Sequence, residues 1–281
     1  MKSQLRANTT IDSLRNILII LVIMVHMSGV AVLSQFSAAE GLVYDVLMAI
    51  TLFCIPAFFA IAGFFAYQKD NSPTANQKRL KRIWSLLKIL IWAELLYIAL
   101  SSLFVGLPSV LGAFADKGHL LNFLSDAVPV PTIFDSLLLY YIVVLLFVST
   151  ITLGFGKYRD KLLAILAIVA FVIANLGFYL LHIRGYAVVD QYVGTGQNRV
   201  LAGLLYFSIG YFIRKYQTKL SKIKTKLIVV LFLATLALFA LEKIYFTPYG
   251  VTAPIVVALG LSLCVKFPNL FSNKAKIIPA I

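Results

Sequence analysis

A chain of 281 residues that is 61% hydrophobic and only 13% charged, with a mean hydropathy of +0.93, is not a soluble globular domain, whose apolar share is roughly 45–50%. Its formal charge of +14 invites a nucleic-acid partner, but the positive-inside bias of membrane proteins produces the same excess, and the positions of the basic residues decide between them. The two cysteines, Cys54 and Cys264, both fall inside apolar stretches; they make no metal motif, imply no disulfide and read as small packing residues.

Apolar runs long enough, or nearly so, to cross about 30 Å of hydrocarbon occur at residues 14–33, 42–67, 83–105, 134–153, 162–181, 200–213, 227–244 and 251–267. They predict an all-α fold, a polytopic integral membrane helix bundle of about eight visible transmembrane helices, in a single domain over residues 1–281. The connections alternate in charge. Every Lys and Arg except Lys117, Arg184, Arg199 and Lys243 lies at the N-terminus, in 68–82, 154–161 or 214–226, or at the C-terminal tail, counting Arg15, Lys88 and Lys266 at their nearest ends. Glu40, Asp45, Asp116, Asp126, Asp135, Asp190 and Glu242 fall on the other side. The N-terminus is therefore expected in the cytoplasm, and the basic charge reads as a topology signal with no nucleic acid involved.

The first run carries Arg15 at its start and His26 in its middle. Eleven residues at ~100° each return His26 to within about 20° of Arg15, at a depth roughly 16 Å greater. Arg15 then lies at headgroup level and His26 near the midplane, where an ionisable group is costly and is a functional candidate. The plainer reading, that His26 bonds a neighbouring carbonyl and Arg15 only sets orientation, stands beside it. The apolar stretch 17–33 exceeds the ~7–15 residues of a signal-peptide core and contains a histidine, so it reads as a retained span.

The second run contains Pro56 and the small residues Ala57, Ala60, Ala62, Gly63 and Ala66, which suit close helix packing. Lys78, Arg79, Lys81 and Arg82 follow in the next connection, just before Trp84. They are either an interfacial anchor for the third span or a cradle for the phosphates of a cytosolic ligand. Glu94 lies eleven residues beyond Ile83, at about the depth of His26. A buried carboxylate needs a partner, so the two are expected to face one another.

The loop 181–198 is polar and aromatic, with His182, Arg184, Tyr186, Asp190 and Tyr192; such a composition suits a hydroxyl-rich ligand or simply solvent. The sixth run is short. From Arg199 to Arg214 is about 22 Å of helix, so Arg199 either snorkels or sits below the outer surface in a wet cavity. The chain ends as a basic turn leads toward what reads as another helix.

These residues resemble a known family. Arg15, ten residues and His26 match the Arg-x10-His signature of membrane acyltransferase family 3, the multi-spanning O-acyltransferases of cell-envelope sugars. Phe58-Phe59-Ala-Ile-Ala62-Gly63-Phe64 is similar to its Phe-Phe-x-x-Ser-Gly-Phe segment, and Lys78-Arg79-Leu-Lys-Arg82-Ile83 to its Arg-Arg-x-x-Arg-Ile segment. Asn198-Arg199 and Leu205-Tyr-Phe-Ser-Ile-Gly-Tyr211 resemble a stretch of the fucose 4-O-acetylase-like members. Ala62 stands where the family has serine. The family's usual last two of about ten spans are not in this chain, so the domain is expected to be C-terminally incomplete.

The resemblance implies transfer of an acetyl group from cytoplasmic acetyl-CoA to a glycan or lipid-linked sugar hydroxyl, by a multi-pass protein of the plasma membrane in contact with membrane lipid, with no metal. It implies His26 as catalytic base, oriented by Glu94, with Arg15, Lys78, Arg79 and Arg82 on the coenzyme A side and Arg199 and Tyr192 toward the acceptor. Two other classes stay open on the residues alone: a transporter or flippase of a polysaccharide precursor, and a non-catalytic membrane anchor.

Overall fold

Each apolar run folds as helix wherever the computed structural model describes it, at residues 9–27, 53–67, 72–105, 137–177, 199–245 and 251–268. In chain order the helices are α1 (Thr9–Met27), α2 (Cys54–Ala66), α3 (Pro73–Val105), α4 (Leu137–Gly154), α5 (Arg159–Ala170), α6 (Arg199–Lys215), the single turn α7 (Gln217–Leu220), α8 (Thr225–Tyr245) and α9 (Ala253–Lys266). Among the described residues no strand occurs. Between α4 and α5 lies a 3-10 turn, Gly156–Tyr158, and α5 runs on into a π-helical segment, Phe171–Gly177, which encloses the buried Asn175.

The start of α3 differs from expectation. The stretch 68–82 reads as a connection, yet the helix begins at Pro73, ten residues before the apolar run. The cause is local. Ser72 caps the first turn by accepting the N–H of Ala75 (3.2 Å), and Pro73 at the first helical position gives up an N–H that would have no partner there anyway. Lys78, Arg79, Lys81 and Arg82 are therefore fixed on one rigid rod of 33 residues, about 50 Å long.

The chain divides into two compact units, Ala66–Ser208 and Met1–Phe65 with Ile209–Ile281. In the first, α4 packs on α3 and on α5. In the second, α8 and α9 form an antiparallel hairpin closed at both ends. At one end the buried Glu242 carboxylate accepts the N–H groups of Val251 (2.6 Å) and Thr252 (3.2 Å) and the Thr252 hydroxyl (2.6 Å). At the other, Lys266 donates to the carbonyls of Ser221 (3.3 Å) and Ile223.

Helix α1 begins where α9 ends. The Thr10 hydroxyl donates to the Phe267 carbonyl and the Thr10 N–H to that of Pro268 (3.2 Å). The start of α1, the turn before α8 and the end of α9 thus share one level, and α7 ties the end of α6 to it. The start of α1 and the turn 214–226 are two of the segments that the charge pattern expects on one side.

Helix α2 meets α6 at two places, Ala60 against Gly210 and, one turn further along each, Phe64 against Arg214. A Cβ on Gly210 would lie 1.7 Å from the Ala60 carbonyl oxygen, so only glycine admits this backbone approach.

The apolar surface is not all inside. Trp92 is 72% and Leu103 80% exposed on α3, and Leu227, Val230, Leu231, Leu233, Leu238 and Leu241 are exposed along α8. Contiguous apolar exposure of this kind marks a surface that meets lipid or a partner. Among the described residues one helix, over Thr225–Glu242, is long and apolar enough to cross a membrane; Cys54–Ala66, Val144–Gly154 and Ala253–Lys266 are shorter apolar helices.

Gly210→Ala is expected to lower stability by about 2 kcal/mol or more, since a carbonyl cannot move aside as a side chain would. Gly260→Ala, whose Cβ would meet only the Phe232 ring at 3.4 Å, is expected to be nearly neutral. Thermal unfolding of both variants in detergent checks the contrast; equal midpoints would contradict the close approach.

Candidate functional site

Arg15 is exposed on α1, one and a half turns beyond Thr10. The helix continues without a break through His26, so the two residues hold the spacing expected of them, one face and roughly 16 Å of rise. The side chains of His26, Glu94 and Arg199, and the whole of Tyr192, lie outside the described residues. At backbone level His26 sits near the end of α1, Glu94 two thirds of the way along α3 and Arg199 at the first residue of α6.

The basic residues of α3 follow one another around the helix in the order Lys81, Lys78, Arg82, Arg79, and burial divides them. Arg79 is buried and Arg82, three residues on, is half-buried; Lys78 and Lys81 are exposed. Residues three and four apart are neighbours on a helix, so Arg82 adjoins both Arg79 and Lys78, and burial sets the two guanidinium groups apart from the exposed lysines. Arg79 donates through Nη1 to Asn76 Oδ1 at 2.7 Å, one turn back, and this contact fixes the plane of its fork. Guanidinium forks match phosphate and carboxylate oxygens in pairs, whereas the exposed ammonium of Lys78 acts as a point charge.

A second buried guanidinium stands in the same unit. Arg159, the first residue of α5, is only 5% exposed and lies 3.5 Å from Asp160 Oδ1. In the sequence it is one more charge in the turn 154–161, with nothing to set it apart from Lys157 and Lys161, which are exposed.

Arg214 was likewise legible only as an inner-side charge. It stacks on Phe64 at 4.9 Å from the ring centroid and donates through Nη1 to Gln217 Oε1 at 2.5 Å. The last aromatic of the Phe58–Phe64 segment is thereby tied to the end of α6. A double-mutant cycle on Phe64→Leu and Arg214→Gln is expected to give a coupling of about 1 kcal/mol. Simple additivity in unfolding measurements would deny the stack any energetic role.

The family model described as an acyltransferase domain, that of acyltransferase family 3, matches residues 8–280. No curated protein and no solved structure matches the chain significantly. Members of the family are typically membrane proteins. The match runs through both compact units and contains the Arg15–His26 helix, the Phe58–Phe64 segment and the guanidinium face of α3; on this ground the chain belongs to acyltransferase family 3.

Proposed function

We propose that the protein is a membrane-bound O-acyltransferase that moves an acetyl group from cytoplasmic acetyl-CoA to a hydroxyl of a cell-envelope polysaccharide or lipid-linked sugar. The observation that carries this reading is the unbroken helix from Thr9 to Met27. It keeps Arg15 and His26 on one face with an axial separation about half the thickness of a hydrocarbon layer.

Membrane placement is supported by the apolar residues left exposed along α3 and α8 and by the gathering of the start of α1, the basic turn and the end of α9 at one level. We take that level as the cytoplasmic face, because basic residues accumulate there. A donor arriving from this side carries phosphates. Arg79, buried and braced by Asn76, and Arg82 beside it have the donor chemistry that phosphates need, with Lys78 and Arg15 adding charge at the surface. The coenzyme, when bound, supplies the thioester whose acyl carbon is attacked.

His26 acts as general base, taking the proton of the acceptor hydroxyl as its oxygen bonds the acyl carbon and the carbon–sulfur bond breaks, and returning that proton to the leaving sulfur. Glu94 orients the imidazole, as the third member of a triad does. Arg199 and Tyr192 hold the glycan from the opposite side. Family membership favours this chemistry over transport of a precursor, because a flippase has no need for an acyltransferase domain.

His26→Ala is expected to lower acetyl transfer to an envelope glycan acceptor by about 10²-fold or more, measured with purified, folded protein; undiminished transfer would remove the base. Arg82→Ala is expected to raise the KM for acetyl-CoA by about tenfold while leaving that for the acceptor unchanged. Lys78→Ala, on the exposed face, is expected to change it by less than about threefold. A larger effect from Lys78 than from Arg82 would reverse the assignment of faces.

A further inference from the structure

The turn joining α6 to α8 has a pattern that acyl transfer does not use. Residues 214–226 contain Arg214, Lys215, Lys219, Lys222, Lys224 and Lys226 and no acid. Lys219, Lys222, Lys224 and Lys226 are exposed, and in their midst Tyr216 is 42% exposed. Its ring lies along that of Phe212, centroids 6.3 Å apart and planes 14° apart. The ammonium groups of Lys215 and Lys219 stand over the same ring, 5.3 and 5.5 Å from its centroid.

Two features decide what such a group would take. Two ammonium groups already stand over the Tyr216 ring, with Phe212 alongside it. A nucleobase needs an open aromatic face on which to stack, so a nucleotide is a poor fit, whereas an anion reaching the ammonium groups from the hydroxyl edge is a good one. The second feature is level. Lys224 and Lys226 flank the first residue of α8, and exposed Leu227, Val230 and Leu231 follow at once. The cations therefore border the apolar surface of the helix that is long enough to cross a membrane, which is the height of lipid phosphates. An interfacial tyrosine beside several lysines is the composition that anionic headgroups attract.

We propose that the turn 214–226 is a binding site for the phosphate of an anionic phospholipid, with Lys219 and Lys222 as its principal cations and Tyr216 as the aromatic beside them. The proposal commits to a lipid of the surrounding bilayer and not to free phosphate, and it rests on the membrane placement proposed above.

Native mass spectrometry of the full chain, titrated in detergent with phosphatidylglycerol and with phosphatidylcholine, tests it. The wild type is expected to retain phosphatidylglycerol in preference. Lys219→Gln with Lys222→Gln is expected to weaken that retention roughly ten- to thirtyfold. Lys157→Gln with Lys161→Gln, the same charge change at another basic turn, is expected to leave it within about twofold. Equal losses from both pairs, or none from the first, would overturn the site. So would displacement of the lipid by millimolar inorganic phosphate, which would make it a site for the free ion. Retention of the wild type in alkali-washed membranes reads the membrane placement separately.

Discussion

The contact between the Ala60 carbonyl and the backbone at Gly210 is the constraint from which the arrangement of the second unit follows. Where a Cβ would sit 1.7 Å from an oxygen, two helices touch through their main chains, and everything one turn further along is set by that touch. Arg214 comes to rest on Phe64. The end of α6 and the end of α2 are brought to the same level, and α7 leads from there to the start of α8. On the proposed membrane placement, close packing and small residues replace the hydrophobic effect as the force between helices. The small residues of α2 are therefore structural in the first place and position the functional groups only through what they allow to approach.

The same unit explains how charge is sorted. Three separate hydrogen-bonded ties, from Thr10 to the carbonyls after α9, from Lys266 to the turn before α8, and from Glu242 to the start of α9, hold helix ends together two by two. Basic groups collect at the level of the first two ties, and the carboxylate serves the third. A carboxylate that accepts three hydrogen bonds is well satisfied although buried. The arrangement resolves the cost of burying Glu242 while leaving the opposite end of the hairpin entirely cationic.

Much of this is legible in the sequence. The eight apolar runs mark the helices because periodic or continuous hydrophobicity is a local property, and the grouping of the N-terminus with the turn 214–226 follows from charge alone. The start of α3 is legible in principle, since Ser72-Pro73 is a helix-initiation signal, but the cluster of basic residues after it has the composition of a connection. The stack of Arg214 on Phe64 and the burial of Arg159 were not readable, as each depends on which distant segment arrives beside the side chain. The division of the α3 cations into a guanidinium face and an ammonium face lies between these cases. Helical spacing alone puts Arg82 beside both Lys78 and Arg79; that burial falls on the arginines is a tertiary matter.

The proposed function depends on direction: an acyl donor would meet the basic end of the helices, and an imidazole would stand half a membrane deeper. The most direct measurement uses sealed vesicles of both orientations carrying Lys222→Cys in a background free of Cys54 and Cys264. A membrane-impermeant maleimide reports which side holds the basic turn, and labelled acetyl-CoA added outside reports which side accepts the donor. Acetyl transfer should occur only in vesicles whose Lys222→Cys is modified. Transfer supported from the side where that cysteine is protected would contradict the account.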